Sequence, residues 1–233
     1  MYARTLGATT FTFQVSGKLW RNSLIMQDRE TGTWWSQVTG RAINGKNRGA
    51  QLQKLESVET SWEQWFATHP ETSVLAKTEE VTASHYQKYF EDPERMGLFR
   101  AQWLTEKMPG KTLVYGATVG PHAVAVTEGA LGRGIVRADL GGVPVVVVRG
   151  ADSGVRAFVA RVGDEPLQPA PDGGAETMVD ATGSIWDAAT GECIEGPRRS
   201  ATLETVAVTP VYWFAWSGFY PNTQVIESHP PLE

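Results

Sequence analysis

The 233-residue chain has one cysteine, Cys193, which excludes an intrachain disulfide and a cysteine-built metal cluster. Histidine is also sparse. His69, His85, His122 and His229 form neither an H-E-x-x-H motif nor a close pair, so no local zinc motif is present. Positive charge is not in excess: 21 basic against 26 acidic residues give a formal charge of -5. A general nucleic-acid binder needs a concentrated basic surface, so no nucleic-acid partner is expected. Long apolar runs are missing too. The longest, 211–219, falls short of the roughly 20 residues of a membrane helix, and no signal-peptide core follows the first five residues. The glycine-rich stretch 129–134 has neither a P-loop ending nor dinucleotide-binding spacing, so no nucleotide cofactor is indicated.

What remains is a globular composition, 41% hydrophobic and 20% charged, with an unusual number of tryptophans, nine. Each indole is large and carries a donor that seeks a partner, so nine point to an aromatic core or a ligand groove. The simpler expectation is core.

The dominant signal is internal. Thr31–Gly32–Thr33–Trp34–Trp35 returns 151 residues later as Thr182–Gly183–Ser184–Ile185–Trp186, and the spacing then holds without a gap. Gly40, Ile43, Gly45, Arg48, Ala50 and Leu52 match Gly191, Ile194, Gly196, Arg199, Ala201 and Leu203. Trp62, Trp65, Pro70, Thr72 and Val74 match Trp213, Trp216, Pro221, Thr223 and Val225. Fifteen of the 44 positions from 31 to 74 are identical, a density expected of a duplication. Upstream the match slips: Asp28 corresponds to Asp180, and Tyr2–Ala3–Arg4 is weakly similar to Val159–Ala160–Arg161.

These patterns predict an α+β, β-rich fold of two homologous halves, each with β-hairpins and a short Trp-faced helix. The organisation expected is 1–77 as a first, N-terminally incomplete copy, 78–130 as a linking segment with a helix and short strands, 131–227 as the second copy, and 228–233 as a tail. Alternation at Thr9, Phe11, Phe13 and Val15 reads as one strand. Gly141–Gly142 between 135–139 and 143–148 reads as a hairpin turn beside a buried valine strand, for which the first copy shows no counterpart. Thr60 with Glu63 has capping-box spacing ahead of Trp62, Trp65 and Phe66 on one helix face. Thr209–Pro210 reads as the start of the second helix.

The run F-Q-V-S-G-K-L-W-R-N-S-L-I-M-Q-D-R-E-T-G at 13–32, followed by W-S-Q-V-T-G-R-A-I at 35–43, resembles the bacterial and archaeal family known as domain of unknown function 3179. Asp139–Leu140–Gly141–Gly142–Val143–Pro144 and Trp213–Phe214–Ala215–Trp216 extend the resemblance over most of the chain. It implies no assigned activity. Family members are expected to carry an N-terminal hairpin and a cysteine-pair segment ahead of the first run. Both are absent here, so no thiol or metal role carries over. The resemblance leaves compartment open: cytoplasmic for a complete chain, exported if a leading segment belongs to it.

Two sets of residues are candidates for function. Arg29, Trp35, Ser36, Gln37 and Arg41 combine cations, an amide and an indole, suited to a small polar or anionic ligand. The second copy keeps Trp186 but has Asp187, Ala188 and Glu192 in place of Ser36, Gln37 and Arg41, which separates scaffold from polar site. Asp28 and Asp180 are weaker candidates for a metal between the copies; each also suits its own turn. The expectation placed first is a noncatalytic ligand-binding or structural module. Its alternatives are a metal-assisted enzyme using Asp28, Arg29 and Gln37, and a truncated, inactive relative of one. Whether it is an enzyme stays open. A homodimer, or a further segment, is the expected cover for the first copy.

Overall fold

A computed structural model describes residues 1–76, 86–104, 107–174 and 176–227. The segment 77–85 and the expected tail 228–233 lie outside the described residues. The fold is α+β and β-rich. A first antiparallel sheet runs in chain order through Phe13–Trp20, Ser23–Asp28, Trp34–Ser36 and Ala42–Asn44. A meander of the same order is formed by Ala170–Pro171, Thr177–Val179, Ile185–Asp187 and Cys193–Glu195. Between these in sequence lies a valine-rich sheet, ordered Thr205–Val206, Val155–Val159, Pro144–Arg149, Ile135–Asp139. A mixed sheet is ordered Thr209–Tyr212, Leu113–Val119, His122–Thr127, Gln224–Ile226, the last strand running parallel to its neighbour. The helices are short: α1 (Trp62–Thr68), α2 (Gln87–Glu91) and α3 (Trp213–Phe219). Among the described residues no helix is long and apolar enough to cross a membrane.

Side-chain parity explains the layering. Alternate residues of a strand point to opposite faces, so a continuous apolar run marks a strand covered on both sides. Val145 and Val147 enter one core with Val136, Ala157, Val124 and Val126, between the valine-rich and mixed sheets. Val146 and Val148 enter another with Phe158, Met178 and Trp186, against the second meander. On the far side of the mixed sheet, Val114, Ala123 and Ala125 pack on Trp213 and Trp216 of α3. The first sheet builds a smaller core from Phe11, Trp35, Ala42 and Leu52.

The predicted hairpin at 135–148 forms, with Asp139 opposite Pro144, and Asp139 accepts from the Gly142 amide at 2.8 Å. Three other details differ from expectation. Thr9–Thr10 pairs with Thr5–Leu6 as a small hairpin, and the chain breaks before Phe13, so 9–15 is not one strand. The α1 cap is Ser61, whose hydroxyl accepts from the Gln64 amide at 3.2 Å; Thr60 instead donates to Asp152. Thr209–Tyr212 is a strand, because Leu113–Gly116 offers it a ladder, and α3 starts only at Trp213. Phe11 donates its amide to the Arg4 carbonyl and Leu167 to that of Ala160, while Tyr2 bridges Lys54 and Phe158 pairs with Thr205.

Gly40 and Gly191 illustrate why glycine stands at both places. Their φ angles are +70° and +74°, and an added Cβ would overlap the ring of Tyr2 in one sheet and Phe158 in the other.

Candidate functional site

The turn between the first two strands of the first sheet reaches the segment at Phe99 and the helix α3. Arg21 and Asn22 both have positive φ, 52° and 58°, the geometry of a two-residue turn whose twist matches its flanking strands. Asn22 then exchanges two hydrogen bonds with the backbone of Phe99, at 2.7 and 2.9 Å. Beside it, Trp20 meets Phe219 of α3 edge-on at 5.0 Å, with the Arg21 guanidinium near both rings.

These contacts hold the first sheet apart from the strand Thr209–Tyr212, and a cavity of about 620 Å³ lies between. That volume suits a small organic ligand. Tyr2, Ser23, Gln37 and Lys54 supply polar groups to its wall, and no carboxylate among the described residues lines it. The Tyr2 hydroxyl donates to the Val38 carbonyl at 2.6 Å; burial, with Tyr220 nearby, raises its pKa well above the usual tyrosine value.

Lys54 bridges Tyr2 across the antiparallel pair. Its ammonium nitrogen is buried and has no hydrogen-bond partner among the described residues. Loss of hydration disfavours the charged form, and burial brings its pKa down from 10.5 to about 8. A buried, unpaired amine is costly for a fold to keep, and here its side chain belongs to the wall of a cavity that no carboxylate among the described residues lines.

The candidate residues from the sequence are spread over different places. Trp35 is fully buried, packed on Phe11 and Phe13, and its indole nitrogen donates to Asp28 at 2.8 Å. Ser36 is buried and its hydroxyl accepts from the Thr39 amide. Arg29 is exposed in the turn after the second strand. Gln37 lines the cavity with Lys54, while Arg41 lines a separate groove with Trp34 and Arg48. Gln37 and Arg41 therefore do not share a pocket.

Asp28 and Asp180 are each enclosed in their own turn. Asp28 accepts from the Thr31 amide and hydroxyl at 2.6 and 2.7 Å, besides Trp35. Asp180 accepts from the Thr182 amide and hydroxyl at 2.8 and 2.6 Å, and from Trp186 at 3.0 Å. Burial pushes both carboxyl pKa values up, but these donors together outweigh it and hold them below the ordinary aspartate value. Among the described residues no three His, Cys, Asp or Glu side chains converge as a metal site.

Lys54 and Tyr2 were missed by the motif reading, yet a signal existed. Leu52 and Lys54 are two apart in an extended stretch, so the face that buries Leu52 carries Lys54 inward as well.

Residues 1–223 match the family model described as "Protein of unknown function (DUF3179)". The chain belongs to this family. No curated protein and no solved structure matches it. In this DUF3179 protein the one thiol, Cys193, is buried in the second meander, where its sulfur donates to the Glu195 carbonyl at 3.3 Å. The family's expected cysteine pair has no counterpart in a chain with a single cysteine.

Proposed function

We propose that this DUF3179 protein is a noncatalytic binding module that takes a small carboxylate- or phosphate-bearing molecule in the cavity beside Lys54. One observation carries the reading: Lys54, in the wall of a cavity that no carboxylate among the described residues lines, has a buried amine with no partner among those residues. An anion would pair with Lys54 and restore its charge, while Gln37 and Ser23 offer hydrogen bonds for orientation. On this reading the sequence candidates divide: Gln37 belongs to the site, and Trp35 and Asp28 to its scaffold.

We also infer that the chain is built from two related units, 1–77 and 131–227, joined by 78–130. The identities at a spacing of 151 residues support this, as do the matched Trp–Asp pairs in the two meanders. The ligand site then belongs to the first unit, because Thr205 occupies in the second the place of Lys54.

The test is calorimetric titration of the purified protein with small mono- and dicarboxylates and inorganic phosphate at pH 7, and again with Lys54→Met. Binding to the wild type that is lost in the folded variant supports the reading. Equal binding by both proteins, or none by the wild type at millimolar ligand, overturns it.

A further inference from the structure

The helices α1 and α3 have the same internal chemistry and opposite surroundings. Trp65 donates its indole N–H to Thr72 at 2.9 Å, and Trp216 donates to Thr223 at 3.1 Å. Trp65 stacks on His69 as Trp216 packs on Tyr220, and the two helices end with the same amide-to-carbonyl bond, His69 to Trp65 and Tyr220 to Trp216. Yet Trp213 and Trp216 are 1% and 0% exposed, whereas Trp62 and Trp65 are 52% and 41% exposed.

The covering of α3 is known in detail. The hairpin Leu113–Val119/His122–Thr127 lies on it, pairing antiparallel with Thr209–Tyr212 before the helix and parallel with Gln224–Ile226 after it. Gly116 sits against the Trp216 ring, where an added Cβ would overlap it. Around α1 the places of those two strands are taken by 58–61 and 73–75, which belong to no sheet among the described residues. Phe66, Val74 and Leu75 are exposed beside Trp62 and Trp65. The side of α1 that carries Gln64 is already tied down, by Gln64 to Ser153, and the Thr60 hydroxyl just before the helix donates to the Asp152 carbonyl.

We propose that this face of α1 is the docking site for a β-hairpin of a partner protein, which inserts between 58–61 and 73–75 as 113–127 does between its own neighbours. The mode is strand addition to unsatisfied edges, with the apolar side of the hairpin on the indoles. The fit sets the partner's chemistry: apolar residues facing Trp62 and Trp65, and glycine over Trp65. Charge adds a second requirement. Between 55 and 75 the chain carries Glu56, Glu59, Glu63 and Glu71 and no lysine or arginine, so the hairpin's flanks should be basic. The segment around α3, 207–226, carries no charged residue, so this feature is confined to the open site.

The probe is a cyclised hairpin peptide with the sequence 113–127 and two lysines added at each end, mixed with the full chain. Amide hydrogen exchange should show new protection at 58–61 and 73–75 and none at 209–212. The same peptide with the glycine equivalent to Gly116 replaced by leucine should bind about tenfold more weakly or worse, since overpacking a filled indole contact is costly. Raising the salt concentration should weaken the lysine-flanked peptide. A variant with Trp62→Ser and Trp65→Ser together, still folded by circular dichroism, should lose the protection. Absence of protection with the wild type, indifference to the glycine-to-leucine change, or sedimentation showing that two copies of the chain already cover α1 would each overturn the proposal. None of these outcomes depends on whether the Lys54 cavity binds an anion.

Discussion

Trp186 donates its indole N–H to the carboxylate of Asp180 at 3.0 Å, as Trp35 does to Asp28 at 2.8 Å. Both indoles are fully buried, and Asp28 and Asp180 are 0% and 5% exposed. Each carboxylate is thus solvated by the protein: an indole on one oxygen, a threonine amide and hydroxyl on the other. The sheet closes around a charge that its own turn satisfies.

Replacing Asp180 with alanine would leave two buried donors, the Trp186 indole and the Ser184 amide, without their acceptor. The expected loss is about 2–5 kcal/mol, measured by urea denaturation at pH 7. Its folded pKa lies below the unfolded value, so the stability it confers is present above pH 4 and is lost as pH falls through the folded value. Asp180→Asn should therefore show a shallower decline in stability between pH 5 and pH 2 than the wild type. An unchanged acid limb would contradict this account.

Lys54 gives the opposite slope. Its folded pKa, about 8, lies below the 10.5 of the exposed amine, so between these values the unfolded chain binds more protons and stability rises with pH. The rise should be visible from pH 7.5 to 9.5, below the range in which the tyrosines ionise. Lys54→Met should abolish this rise and stabilise the ligand-free protein by about 1–3 kcal/mol at pH 7. Loss of stability in that variant would mean that the amine is satisfied in solution. Ligand affinity should fall over the same pH interval, because the anion needs the protonated amine.

The paired helices offer a test without ligands. Trp216→Ala removes a fully buried indole from the core beside Gly116 and should cost about 3–5 kcal/mol. Trp65→Ala, at the matching position, should cost under about 1.5 kcal/mol in the protein alone, because its ring is 41% exposed. Thermal unfolding of both variants measures the difference. Equal losses would show that α1 is covered in solution.

Much of the sheet structure could be read from the chain because strands leave strong marks. The valine run at 145–148 can be apolar at successive positions only if both faces are covered, and they are. The turn Asp28–Gly32 and its partner at 180–183 were legible for a similar reason, since the carboxylate, threonine and glycine each have a local task. Long-range choices were hidden. Pro210 suits a helix start, and only the presence of Leu113–Gly116 makes Thr209–Tyr212 a strand. The apolar face of α1 has the same period as that of α3, and periodicity does not say whether anything lies on it. The cavity escaped motif reading because its polar wall draws on Tyr2, Ser23, Gln37 and Lys54, which share no spacing.

The enclosed bond between indole and carboxylate has an evolutionary corollary. Because the turn is specified from inside, its neighbours can be rewritten without endangering it: Trp35 and Trp186 each bond a turn aspartate, while Gln37 and Arg41 follow the one and Ala188 and Glu192 the other. Residues beside such a turn can then change what the surface recognises without loosening the strands beneath it.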